Sequence, residues 1–308
     1  MSKNRFKAYL CLIGASAIWG AAGPVIKFTL QGIDPLPFIS YRFFIAAILS
    51  LVFFLLKIRA GKKFKRLRAH IPLAITYGFL AVPISLGLLF LGLDKTGVLD
   101  LALIGAIAPL MVMAGGSLIY HDHITHREKI GIGIVLLGVI VNSFLPILKN
   151  GSEIVLTGNI LLMLYLVADS GSILMAKKAV RHKIKSSNLT NLAFIIGALT
   201  MVPLTIYLYG FENLINNILN LPLKYHFGVW YMAFISGNLA YYLFVRGQKS
   251  IEVSEAVLFG YLQPLFMVPL GLFWLHESLS KTFLVGAFII ALGVIIAEYK
   301  KPKKKAFT

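Results

Sequence analysis

The chain has 308 residues, of which 58% are hydrophobic and 14% charged, with a mean hydropathy of +0.82. That balance excludes an ordinary soluble domain. The net charge of +18 would suit nucleic acid, but its placement, described below, assigns it to membrane surfaces instead. The single Cys11 lies in an apolar run, so no internal disulfide can form.

Apolar runs of roughly 20 residues, each able to cross a hydrocarbon core of about 30 Å, recur along the chain. Ten are read, at 8–30, 35–57, 70–93, 97–120, 127–147, 156–178, 189–210, 226–246, 253–275 and 281–299. The first imitates a signal peptide, with a basic start and small residues after it. It is too long for that, and nine more follow.

The first span carries a stripe of Trp19, Gly23 and Lys27; Lys27 is expected to snorkel outward or to face a cavity mouth. Arg42 opens the second span, where interfacial anchoring is expected. The third offers Tyr77 and Ser85. The fourth and ninth contain Pro109 and Pro264, which free a backbone carbonyl; a kink or a gating element is expected there. Glycines stud the fourth, fifth and tenth spans (Gly105, Gly116, Gly131, Gly138, Gly286 and Gly293). Close helix contact through small residues predicts a tight fourth–fifth hairpin mirrored by a ninth–tenth one.

His121, Asp122, His123 and His126 could chelate a metal, but they fall at a span end and read as a solvated turn. No metal is expected there, and no cofactor anywhere. The sixth span holds Asp169, with Tyr165 and Ser172 about one turn away on the same face. An ionised group at mid-bilayer costs on the order of 3 kcal/mol, so Asp169 must face the bundle interior. It is either a proton- or substrate-binding carboxylate or an acid neutralised by a neighbour. The connection 211–225 places Phe211, Leu214, Ile215, Ile218 and Leu219 on one face, which predicts a short surface helix. Asn238 and Tyr241 lie in the eighth span, and Tyr261 and Gln263 precede Pro264.

Two stretches repeat at an offset of 155. Leu103, Gly105, Pro109, Gly116, His121 and Gly138 recur as Leu258, Gly260, Pro264, Gly271, His276 and Gly293, and Asp122 falls on Glu277. A weaker match, offset by about 150, lays Trp19 over Asp169. The halves, 1–150 and 151–308, meet near Lys149–Glu153, and the second ends in a basic tail at 300–305. Five spans per half make the second half enter the bilayer reversed. The expected fold class is therefore an all-α integral membrane protein, ten transmembrane helices forming two inverted five-helix repeats.

Orientation follows from charge. With both termini cytoplasmic, only Lys95, Lys149, Lys224 and Lys281 fall in outer connections, and Lys27 and Arg42 lie within spans. The other Lys and Arg all fall inside. The expectation is a multi-pass protein of the cell (inner or plasma) membrane with N- and C-termini in the cytoplasm.

Trp19-Gly20 with Pro24 and Lys27, Tyr41-Arg42-Phe43 opening the second span, and a Pro then an acidic turn in the fourth and ninth resemble one family. It is the drug/metabolite transporter superfamily, specifically its EamA-type ten-span members. The chain departs from the pattern at His121-Asp122, where that family usually reads Gly-Glu, and at Asp169, where an aromatic or apolar residue is usual. The resemblance implies export of a small metabolite, an amino acid foremost, with lipids and the substrate as the partners. Oligomeric state is not encoded.

Trp19, Tyr77, Ser85, Tyr165, Asp169, Asn238, Tyr241, Tyr261 and Gln263 are the candidate substrate-binding groups. A buried apolar wall with a few directed polar groups describes a small-molecule site, although each group alone could serve an interhelical hydrogen bond. No G-x-x-x-x-G-K-[ST] phosphate loop is present, so transport would run on gradients. The alternatives left open are a multidrug exporter, a facilitative channel and an intramembrane enzyme.

Overall fold

The computed structural model describes residues 3–61, 64–121, 125–150, 153–248 and 259–298. Among them every regular element is helical. Helix α1 (Lys3–Thr29) is followed by α2 (Pro35–Arg59), with prolines in its first turn where a missing donor costs nothing. A short α3 (Lys65–Ala69) leads to α4 (Ile71–Phe79), which runs through a π-helical stretch, Leu80–Ile84, into α5 (Ser85–Lys95). Next come α6 (Val98–Gly105), α7 (Ala108–Tyr120), α8 (His126–Asn150), α9 (Glu153–Arg181) and α10 (Ser186–Tyr209). Gly210, at φ 82°, ends α10 in a conformation side chains avoid. The expected surface helix follows as α11 (Phe211–Leu219), with Leu214 buried and Phe211 and Leu219 exposed.

The remainder comprises α12 (Leu223–Trp230), a second π-helical stretch (Tyr231–Leu239), α13 (Ala240–Gln248), a 3-10 turn (Phe259–Leu262), α14 (Gln263–Phe273) and α15 (Lys281–Glu298). Among the described residues, six segments are long and apolar enough to cross a membrane: Arg5–Thr29, Pro35–Arg59, Ile71–Lys95, Val98–Tyr120, Glu153–Arg181 and Ser186–Tyr209. The other expected spans fall on α8, on α12 with α13, and on α14 and α15. Parts of the His121–His126 turn, the start of the expected ninth span and the basic tail lie outside the described residues.

Local geometry repeats at the offset seen in the sequence. Ile107, preceding α7, has φ −79° and ψ −22°; Leu262, preceding α14, has φ −79° and ψ −18°. His121 and His276 are both left-handed, at φ 54° and 55°. The first π-helical stretch, 80–84, corresponds to 235–239 within the second. The packing repeats too. Helix α1 packs along α13 and α14, and α9 packs along α5 and α7. Helices α2 and α10 pair, as do α8 and α15. Exchanging the halves maps these pairs onto one another.

The two ends of one segment are held by different partners. At one end of 98–120, Lys177 and Arg181 flank the Tyr120 ring, at 4.7 and 4.5 Å. At the other, the Glu277 carboxylate accepts the N–H groups of Val98 (2.7 Å) and Leu99 (2.9 Å).

Two expectations need correction. The glycines of the fifth span face the tenth, not the fourth. A Cβ on Gly131 would lie 2.6 Å from Gly293 O, and one on Gly293 would lie 2.8 Å from Val135 N. Gly138 and Gly286 approach each other's backbone in the same way. Gly115 of the fourth span instead meets Leu174 on α9. Small residues license close contact without naming the partner, and here the partner lies in the other half. Pro109 and Pro264, moreover, do not kink a continuous helix. Each sits in the first turn of a new one, α7 or α14, where no intrahelical donor is lost. The Pro109 ring faces Gly260, 3.8 Å from where a Cβ would sit.

Phe38, Phe43, Phe90, Leu93, Ile104 and Leu110 form the centre of the core. Leu55, Leu118, Leu199, Phe273 and Phe288 face outward, as lipid-facing side chains must.

Candidate substrate site

Asp169 sits midway along α9, and side chains from five other helical segments gather near it. Ser85, at the junction of the first π-helical stretch and α5, turns its buried hydroxyl toward the carboxylate without closing a bond of full geometry. Tyr165, one turn back on α9, neighbours Asp169 as the sequence spacing predicted. Tyr77 from α4 and Tyr241 from α13 place their hydroxyls 3.3 Å apart, both within the field of the same carboxylate. Thr190 from α10 lies beside both phenols. The Tyr241 ring meets Trp19 of α1 edge-on at 5.9 Å, and Phe244 lies 5.2 Å from the same indole.

The π-helical stretches help to set this geometry. A π turn is wider than an α turn and shifts the hydrogen-bond ladder. Pro83 supplies the cause in the first stretch, since it lacks a donor. In the second, Trp19 Nε1 donates to Ser236 O at 3.1 Å, and Tyr231 OH donates to Ile18 O at 2.7 Å. The first and eighth segments are thereby pinned at the depth of the Asp169 group. Asp169, Tyr165 and Tyr241 keep some accessible surface while protein surrounds them. They face the interior of the bundle.

Six candidates therefore converge: Trp19, Tyr77, Ser85, Tyr165, Asp169 and Tyr241. Asn238 Nδ2 donates to Ala233 O, five residues back, at 2.9 Å. Tyr261 and Gln263 stand at the crossing of α1 with α14. Ser16 Oγ donates to Phe259 O at 2.7 Å there, and Gly20 lies against Gln263 O. The groove lined by Phe54, Ile58, Phe64 and Ile75 and the cleft at Gln31–Asp34 hold none of the candidates.

Sequence reasoning missed several groups. Thr190 and Phe244 give no signal in an apolar run. Asp100 binds Thr96 Oγ1 (2.7 Å) and Asn142 Nδ2 (2.7 Å), joining the third, fourth and fifth segments. It stands in a helix's first turn, where an acid is unremarkable. Lys27 Nζ donates to Leu93 O (2.7 Å) and Asp94 O (3.2 Å), capping α5. Arg42 is not an interfacial anchor, for only 3% of it is exposed.

Comparison with known proteins agrees with this architecture. The EamA-like transporter family matches residues 6–144 and again 156–299. The chain belongs to that family. It is a multi-pass membrane protein. The "Uncharacterized transporter YyaM" of Bacillus subtilis is 26% identical over 94% of this chain and 93% of its own. A "Probable amino-acid metabolite efflux pump" of Salmonella typhimurium is 22% identical, covering 96% of this chain and 94% of its own. One crystal structure, 14% identical, superposes with a TM-score of 0.61 over 94% of this chain and 96% of its own, a likeness of fold alone.

Proposed function

We propose that this EamA-family transporter is a gradient-driven exporter of a small amphipathic metabolite, an amino acid foremost. In this reading its halves, 1–150 and 151–308, are two inverted five-span repeats. They enclose one cavity that opens alternately to either face of the cell membrane, with both termini in the cytoplasm. The observation that carries the proposal is the Asp169 group. One carboxylate, five hydroxyls (Tyr77, Ser85, Tyr165, Thr190 and Tyr241) and an indole, from six helical segments, gather at one place inside the bundle. The repetition of backbone geometry at Ile107/Leu262 and His121/His276 supports the repeat layout. The name of the Salmonella relative supports the amino-acid class.

Asp169 is the coupling residue in this scheme. Among the described residues no cation neighbours it, so it is free to take a proton or a substrate ammonium in one facing and release it in the other. The test is flux in reconstituted vesicles. Wild type should show saturable counterflow of labelled substrate and accumulation driven by a pH gradient. Asp169→Asn should keep counterflow and lose the gradient response. Unchanged coupling would remove Asp169 from that role. Unsaturable flux would point to a channel, and chemical conversion of the substrate to an enzyme.

A further inference from the structure

We infer that Arg42 is the subsite that receives the anionic group, a carboxylate, of the transported molecule. This deepens the transport reading, on which it rests, by naming a charged group the substrate must carry.

The side chain is almost wholly enclosed, at 3% exposure, yet its Nε and Nη1 are buried with no hydrogen-bond partner. No acidic side chain neighbours it among the described residues. What touches the guanidinium is aromatic: the Phe43 ring at 5.4 Å and the Phe90 ring at 5.5 Å. Those rings shape a slot and offer weak attraction to a cation, but they cannot accept the planar fork of donors that an arginine presents. Nearby polar groups are satisfied. Ser40 Oγ bonds Met201 O and Thr205 Oγ1 at 2.9 and 2.7 Å, and Tyr41 OH bonds His226 Nδ1 at 3.0 Å. Arg42 alone in this stretch of α2 is left wanting.

A buried charge that the protein does not pair is costly. It persists where something from outside completes it. A carboxylate fits that fork with two parallel bonds. The position suits a substrate that also reaches Asp169. Arg42 lies one turn from the buried Phe38 and Ala46, so it projects into the bundle. Phe90, against its guanidinium, is five residues along α5 from Ser85, about 7.5 Å of helix rise, and Ser85 neighbours Asp169. The bundle interior thus offers a cation at one level and an acid at another, with the Phe90 ring beside the cation. That pattern selects a substrate with an anionic end, an apolar body and a polar or cationic end.

The experiment uses the full chain in phosphatidylcholine nanodiscs. Thermal melts are run with the twenty amino acids and with small mono- and dicarboxylates at millimolar concentration, then with the amide and the decarboxylated amine of each hit. Wild type should be stabilised by several degrees by at least one acid and not by its amide. Arg42→Lys should weaken that acid at least tenfold, and Arg42→Gln and Arg42→Met should abolish the shift. Empty Arg42→Met should melt no lower than wild type, because an unpaired charge has gone and the stem's packing remains.

Four results would overturn the inference. An amine or neutral ligand that binds and is carried equally by wild type and Arg42→Met leaves the carrier standing without this subsite. A much lower melt for the empty variant makes Arg42 a structural residue. Stabilisation that follows added phosphatidylglycerol rather than soluble acid gives the site to a lipid headgroup. If no acid binds and nothing is carried, both readings fall together.

Discussion

The Glu277 carboxylate spans the N–H groups of Val98 and Leu99, at 2.7 and 2.9 Å, across 179 and 178 residues of sequence. Glu277 thus caps a helix that belongs to the other half of the chain. The start of α6 has no side-chain cap of its own, since Gly97 precedes it. Lys27 is close enough to feel the same carboxylate. One end of the bundle is therefore closed by a helix terminus, an acid and a lysine.

Glu277→Ala should leave two donors of α6 without a partner, at a cost of about 1–3 kcal/mol. Glu277→Gln keeps one acceptor oxygen and should lose less. Thermal melts of the three proteins in detergent should rank wild type, Gln, then Ala. Equal midpoints for Ala and wild type would mean that the cap adds nothing to stability.

The α8–α15 contact gives a second expectation. Gly131→Ala and Gly293→Ala both push a methyl into backbone of the facing helix, so each should destabilise by about 1–3 kcal/mol. Gly133→Ala is the control, because nothing lies within 4 Å of its Cβ position. It should be neutral or gain up to about 1 kcal/mol of helix propensity. Comparable losses at all three positions would argue against the interlock.

Those two contacts also mark what the sequence could and could not reveal. The 155-residue offset was legible, because homologous Pro, Gly and His recur without a gap, and Ile107/Leu262 and His121/His276 carry the same dihedral angles. Asp169 was legible because an acid in an apolar run is expensive and must be answered inside the bundle. Helix partners were not, since Gly131 and Gly293 allow close approach to any helix and chain proximity alone favours hairpin neighbours. Arg42 misled for a related reason. Its distance from the span end suits snorkelling, and only the face it occupies, beside Phe90, decides that it is buried. The bond from Asn238 to Ala233 O was not legible, because the one-residue widening of the helix that allows it leaves no periodic trace.

His276, at φ 55°, occupies a left-handed position that a side chain enters at a cost and glycine enters freely. His276→Gly should stabilise the protein by roughly 0.5–1 kcal/mol, less whatever the glycine adds to the freedom of the unfolded chain. His121→Gly should act alike, for φ there is 54°. A clear loss at either position would show that the imidazole makes a contact worth more than the backbone strain.

Asp100 supplies the last expectation, which turns on where one proton goes. Thr96 Oγ1 lies 2.7 Å from Asp100 Oδ2 and 2.8 Å from Asn159 Oδ1, yet a hydroxyl has a single hydrogen to give. An ionised carboxylate can only accept, so that proton belongs to Asp100. Asn159 then satisfies its otherwise unpartnered Nδ2 by turning its amide and donating to Thr96 Oγ1. The result is a directed chain, Asn159 to Thr96 to Asp100, with Asn142 Nδ2 donating from the other side at 2.7 Å. Hydrogen bonds to a charged acceptor are worth about 1.5–3 kcal/mol each, so Asp100→Ala should destabilise by at least that much. Thr96→Val removes one donor at constant shape and should cost less. The double variant should be less damaging than the two costs added, with a coupling of about 1–3 kcal/mol. Strict additivity in the melts would mean that the two groups act independently and that the proton lies on the Asn159 side.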